Sequence, residues 1–333
     1  MTETASRGTL KGGRMARQRV QVLALGAAAL ALPFVFPTIA SRNLLILIGI
    51  NVILVASLDL LIGYTGLISL GHAGFWGIGA YTSALLMMRY RIPFPLALLA
   101  AAILAAAAGV FIGYPSLRLR HHYFVLVTFI FGIILTLLFT SLIGITRGPM
   151  GLPGIPFARL DLPPLFSHTF NTFHSKVGYY YLVLFFVMLI LLLKERIVHT
   201  RMGQALIAIR EEENLAMTIG IDTHRYKVLI FTISAGIAGL AGSLYAHYTT
   251  FLSPESFTFV DSFNLFVMNL VGGVGTFAGP IVGPILLTAV RDILRNISPV
   301  LAEIVFGVFL IAAIAFVPNG IVGGVKRLGQ RAS

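Results

Sequence analysis

The sequence has no cysteine, one tryptophan and only 12 acidic residues. The missing cysteine excludes disulfides, thiol nucleophiles and thiolate metal sites, and leaves the redox compartment open. Charged residues make up 11% of the chain, far below the roughly 25% of a soluble domain. No GxxxxGK[ST] loop occurs, so any ATP used here must be bound by another chain. Gly273-Val-Gly275-Thr-Phe-Ala278 loosely fits a dinucleotide fingerprint, with Asp292 downstream. No soluble βαβ pattern surrounds it, and that reading is rejected.

What is present is apolar. Of 333 residues, 57% are hydrophobic, in blocks near the ~20 residues that cross a bilayer. The expected fold is an all-α polytopic membrane protein of about ten spans, within a range of eight to ten, some broken by glycine. Spans are expected at 20–40, 43–63, 66–88, 94–114, 123–145, 178–193, 228–249, 260–274, 277–290 and 300–317. A basic tail, 1–19, precedes them, and a second tail, 318–333, follows. The run from 20 to 40 resembles a signal peptide, but it is long and more spans follow, so it reads as an uncleaved helix.

The net charge of +12 would suggest nucleic acid in a soluble domain. Here the basic residues cluster at span ends, which is membrane topology and not nucleic-acid binding. The basic N-terminus, Arg118 with Arg120, the stretch 194–227 and Lys326 with Arg327 then share the cytoplasmic side. The Gly/Pro-rich segment 146–177 falls outside, as do Arg89, Arg91, Arg291 and Arg295.

The stretch 194–227, between two apolar segments, holds six Lys/Arg and five Asp/Glu. It is expected to lie in water as a cytoplasmic coupling segment. Leu206, Ile209, Ala216 and Ile219 have helical spacing from Gly203 to Ile219, and Gly220 is a plausible end signal. The same pattern also suits an ordinary loop helix.

Six glycines fall within residues 63–81, GYTGLISLGHAGFWGIGAY. Small residues four apart recur at Ala73/Gly77, Ala235/Gly239 and Gly275/Gly279/Gly283, the pattern of close helix packing in lipid. Polar residues inside spans are candidates for the solute path. They are Tyr64, Thr65, Ser69, His72 and Asn269; Asp59 and Glu303 are the acidic ones. For each, hydrogen bonding to a neighbouring helix is the alternative. No metal site and no catalytic residue is assigned.

In combination these motifs resemble the permease subunits of branched-chain amino acid ABC importers, the LivH/LivM family, and its LivM type in particular. The resemblance runs through NVILVASLDLLIGYTGLISLGHAGFWGIGAY (51–81), TRGPMGLPGIP (146–156), GQALIAIREEENLAMTIGIDTHRYK (203–227), VGGVGTFAGPIVG (271–283) and FVPNGIVGG (316–324). It covers nearly all of 45–324. Arg147 and Met150 depart from the family's usual external loop.

The resemblance implies a permease in the inner membrane that binds no cofactor itself. It implies a second, homologous permease subunit, two cytoplasmic ATPases that use ATP and Mg, and a periplasmic binding protein. The family's coupling segment falls on Arg210 to Gly220. Arg210, Glu211, Glu212 and Glu213 are then expected to meet the ATPase, with Glu213 as its acidic residue, Ala216 as its small one and Gly220 as its helix-ending glycine. Ile209, Leu215 and Ala216 would pack into the partner's groove. The solute implied is leucine, isoleucine or valine. A urea or short-amide permease, an ion-coupled transporter using Asp59 and Glu303, and a pore-less scaffold remain open alternatives.

Overall fold

The computed structural model describes residues 29–119, 121–158, 176–297, 307–308 and 320–323. The expected basic tail, the first half of the first span, most of the last span and Glu303 lie outside these residues. So does most of the C-terminal tail.

Helices dominate the described chain. The main ones are α1 (Ile39–Thr65), α2 (His72–Tyr90), α3 (Phe94–Ser116), α4 (His121–Ser141), α5 (Lys176–Val198), α6 (Arg201–Glu211), α7 (Glu213–Thr218), α8 (Thr223–Thr249), α9 (Phe259–Gly272) and α10 (Gly279–Ile297). Among the described residues, five stretches are long and apolar enough to cross a membrane: α1, α3, Tyr123–Ser141 of α4, α5 and α8. α9 has 14 residues, about 21 Å of helix, short of the roughly 30 Å hydrocarbon core. The only strands among the described residues, β1 (Leu152–Pro153) and β2 (Phe251–Leu252), pair antiparallel.

α1 lies at the centre. From Val52 to Thr65 every residue is buried, because α5, α8, α9 and α10 all pack on it. A helix that is apolar on all sides requires such a sleeve of neighbours. It stops at Gly66, whose φ of 74° places it in the left-handed region that glycine adopts freely. Residues 66–71 are not helical, so the expected span 66–88 is a helix only from His72.

That irregular stretch is held by its neighbours. Leu70 N–H donates to Thr128 Oγ1 of α4 at 3.2 Å, and Ala73 N–H donates to Ser262 Oγ of α9 at 2.9 Å. Non-helical backbone at membrane depth is tolerated only when buried and hydrogen-bonded in this way.

α2, α3 and α8 form the tightest unit. A Cβ on Gly79 would strike the backbone of Gly239, and one on Gly242 would strike Trp76 O and Ala80 N. Gly239 also lies against Ala101 and Ala105 of α3. Gly77 faces the rings of Phe139 and Phe257. Gly279 and Gly283 begin α10 and bring it against Gly273 O and Met268 O. The expected third member of that face, Gly275, is not on a helix. It sits in the turn between α9 and α10 with φ 69°.

At the far end of α8 the Gly/Pro-rich segment is fastened down. Ile155 N–H donates to Thr250 O, and His247 Nδ1 bonds Pro156 O at 2.7 Å. The carbonyl can only accept, so Nδ1 carries the proton. His247 Nε2 meets Ser83 Oγ at 2.8 Å, and Ser243 donates to the same hydroxyl. At that end too, Arg89 donates to Gly144 O at 2.7 Å, which ties the end of α2 to the turn after α4. Residues 159–175 of the expected external segment are outside the described residues.

Gly242→Val should drive a side chain into the backbone of α2. Gly144→Ala meets nothing within 4 Å. We expect the first to lower the melting temperature of detergent-solubilised protein, consistent with an over-packing cost of about 1–3 kcal/mol or more. The second should leave it unchanged. Equal melting of both variants would contradict the packing described.

Candidate functional site

The sequence points to the polar segment between α5 and α8, and the structure puts two connected features there. The first is a buried clasp. Lys194 Nζ donates to Asp59 Oδ2 at 2.6 Å and to Thr276 O at 3.0 Å. Asp59 Oδ1 accepts from Gly275 N–H at 2.8 Å. The Tyr64 ring lies 5.9 Å from the ammonium. Asp59 is wholly buried and Lys194 is 1% exposed. α1, α5 and the α9–α10 turn thus meet at one ion pair.

Lys194 is therefore not the first residue of a water-exposed segment. α5 continues to Val198, and the lysine faces inward because Asp59 is its counter-charge. A charge buried this deeply requires a paired, hydrogen-bonded partner. The pairing also weighs against Asp59 as a free ion-coupling carboxylate.

The second feature is the charged segment that follows α5. Thr200 Oγ1 accepts from Gly203 N–H and caps α6. One continuous helix from Gly203 to Ile219 is the expectation; the chain instead breaks at Glu212, which is extended at φ −157° and ψ 106°. α7 then starts at Glu213. Glu211, Glu212 and Glu213 are consecutive, and their mutual repulsion does not favour a closed helical turn there. α7 ends before Gly220, where φ is 86° and Ile221 N–H reaches back to Ala216 O. This is the glycine-terminated end seen in many helices.

Side-chain directions divide the predicted residues. Leu206, Ile209 and Ala216 are buried within this chain, so Ile209 and Ala216 do not face a partner. The outward apolar residues are Ile207 on α6, and Leu215, 62% exposed, Met217 and Ile219, 68% exposed, on and after α7. Glu211 and Glu212 are exposed as well. Glu213 pairs with Lys227 at the start of α8. Arg210 donates from Nη1 to Gly63 O, near the end of α1. Gly275 also lies beside Gly63 and Arg210. Arg210 thus links α6 directly to the clasp region.

The residues predicted to line the solute path make separate contacts. Tyr64 belongs to the clasp. Thr65 Oγ1 donates to Leu61 O and closes the end of α1. Ser57 Oγ donates to Leu54 O, so His72 Nε2–H is the donor to Ser57 Oγ at 2.7 Å. That is a structural bond between α1 and α2. Ser69 Oγ and both amide atoms of Asn269 are buried, with no hydrogen-bond partner among the described residues. None of the five lines the polar cavity of about 400 Å³ at the other end of α1 and α9. Sequence patterns gave no signal for Lys194 as Asp59's partner, since 135 positions separate them.

Residues 41–314 match the family described as "Branched-chain amino acid transport system / permease component". The chain belongs to this permease family. It is 34% identical to the high-affinity branched-chain amino acid transport system permease protein LivM of Escherichia coli strain K12, over 93% of this chain and 76% of that protein. A probable LivM permease of Methanocaldococcus jannaschii is 28% identical over 68% of this chain and 67% of its own length. The related permease LivH of Salmonella typhimurium is 27% identical over 86% of this chain and 92% of its own. No solved structure matches. The family and its apolar helices make this a multi-pass membrane permease.

Removing one partner of the clasp should leave a bare buried charge. We expect Lys194→Met to lower stability by about 3–5 kcal/mol. Asp59→Asn with Lys194→Met keeps an acceptor for Gly275 N–H and should recover much of that loss. Thermal unfolding in detergent measures both. A double variant as unstable as Lys194→Met would show that the pair's charges do not govern this region.

Proposed function

We propose that this chain is one of the two membrane subunits of an ATP-driven importer for leucine, isoleucine and valine. The observation that carries the reading is the family match across 41–314, joined to a charged segment set between two spans. The relatives named LivM and LivH support a second, homologous permease as its partner. Two cytoplasmic ATPases and a periplasmic binding protein complete the assembly in the inner membrane. ATP and Mg belong to the ATPases, and this chain has no reaction to catalyse.

The coupling segment is the contact for the ATPase. Leu215 and Ile219 enter its groove as an apolar pair, since short helices dock through apolar anchors at such spacings. Glu211 and Glu212 rim that contact, where exposed ion pairs are worth about 0–1 kcal/mol each. Force on α7 passes through the Glu213–Lys227 pair to α8, and force on α6 passes through Arg210 to the end of α1. ATP binding favours one of two arrangements by its differential affinity for them, and the solute path changes sides. A urea or short-amide permease is the alternative substrate reading.

In inner-membrane vesicles with the matching binding protein and ATP, labelled leucine should accumulate, with valine and isoleucine competing and urea not. Leu215→Asp with Ile219→Asp should abolish uptake and co-purification of the ATPases while the chain still inserts. Leu215→Ala alone should act mildly. ATPases that stay bound to the double variant would remove α7 from the coupling contact. Urea uptake without leucine uptake would replace the substrate assignment.

A further inference from the structure

Two cavities of similar volume flank α1. One, of about 410 Å³, lies between α1 and α5 and is walled by Gly49, Val183, Phe277 and other apolar groups. It offers a charged solute nothing to bond. The other, of about 400 Å³, lies at the opposite end of the bundle from the clasp, among α1, α2, α8, α9 and α10. Its volume falls within the roughly 300–1,000 Å³ of small-molecule sites.

The lining of this second cavity is divided by chemistry. Asp261, from the first turn of α9, supplies a carboxylate, and Arg291 and Asp292, from the last turns of α10, supply charges of both signs. Asp261 and Arg291 line the same cavity, so opposite charges face one space. Asp261 Oδ2 accepts from both Thr258 N–H and Thr258 Oγ1, at 3.1 and 2.7 Å, which fixes its direction. Asn51 of α1 donates to Thr288 of α10 at 3.1 Å and adds a neutral polar bridge. Leu265, Met268 and Trp76 make an apolar wall. Trp76 is itself locked edge-on against Tyr245 and Phe257, with centroids 4.8 and 5.0 Å away.

We propose that this cavity is a holding site for a zwitterionic amino acid with an aliphatic side chain. The proposal rests on the importer reading above and names the residues that would read the solute. Arg291 takes the α-carboxylate, because its planar fork matches two carboxylate oxygens. Asp261 takes the α-ammonium, with Asp292 beside it. The aliphatic side chain packs on Leu265, Met268 and Trp76. Opposite charges lining one cavity suit a solute that carries both signs. Neutral urea gains nothing from them, and an anion or a cation meets one of the two as a like charge.

The absence of cysteine makes the site open to a direct test. Ser256→Cys places one thiol in the lining, and Thr288→Cys places one at a second position should the first disturb assembly. The whole importer, with its binding protein, is exposed to a small charged methanethiosulfonate, and labelling is read on this chain by mass. Leucine at millimolar concentration should slow labelling several-fold, and urea should not. Arg291→Gln in the same background should raise the leucine concentration giving half-protection by roughly tenfold or more. Leucine that is taken up without slowing labelling would overturn the site and leave the importer reading standing. Equal protection by urea would overturn the zwitterion assignment, and no labelling at either cysteine would show that solute does not reach the cavity. No leucine uptake by the unaltered chain would instead remove the importer reading itself.

Discussion

A lysine and an aspartate with almost no access to solvent hold this protein's architecture at one end. Desolvating two charges costs several kcal/mol per ion, and their attraction offsets that only with close geometry and further hydrogen bonds. Here the further bonds come from the backbone: Gly275 N–H to Asp59 and Lys194 to Thr276 O. The turn between α9 and α10 must therefore present a donor and an acceptor side by side. It does so with Gly275 at φ 69°, a conformation costly for a residue with a Cβ. The crowding has the same origin, since a Cβ on Gly63 would collide with both Asp59 and Gly275.

The second constraint is backbone proximity. In lipid, helices gain little from burying apolar surface against one another and associate through close packing. α2 and α8 meet that need with Gly79 set against Gly239 and Gly242 set against Trp76 O. Their contact leaves little freedom to slide, so α2, α3 and α8 pack as one unit. α1 passes between this unit and the α5, α9 and α10 side. It is bonded to α8 through Ser234 Oγ to Ser57 O at 2.6 Å, and to α2 through His72.

Much of this was legible in the sequence because it follows from composition and period. Blocks of apolar residues marked the helices, and small residues four apart marked Gly239 and Gly283 as close contacts. The spacing of Leu206, Ile209, Ala216 and Ile219 marked a helical segment but not its inner face: Ile209 and Ala216, expected in a partner's groove, are buried, and Ile219 is exposed. What was not legible depended on distant pairs. Lys194 reads as the start of a solvated run because its neighbours Glu195 and Arg196 are charged. Only the position of Asp59 in space turns it inward. Gly275 reads as a helix-packing residue from its spacing to Gly279, yet a positive φ is a property of the turn. Arg210 and Glu213 read as partner contacts, and both are bonded within the chain. The polar cavity escaped notice because its charges come from Asp261 and Arg291, 30 positions apart, at the ends of two different helices.

The same helices carry both ends of the system. α1 carries Asp59 and Gly63 at the clasp and Asn51 at the polar cavity; α9 and α10 share the Gly275 turn at one end and supply Asp261 and Arg291 at the other. In the proposed importer a shift imposed on Gly63 through Arg210 would pass along α1, because a helix is stiff along its axis. The cavity would respond if α1 moved relative to α10, to which the Asn51–Thr288 bond joins it. Coupling of this kind is reciprocal: a ligand that favours one spacing of α1 and α10 must bias the position of α6 by the same free energy. A clasp made of charge resists small displacements strongly and, once opened, leaves two unpaired charges that water must solvate. The physics therefore favours two discrete arrangements of the α1, α5 and α9–α10 junction over a continuous range, which is what a permease needs to keep its path closed on one side at a time.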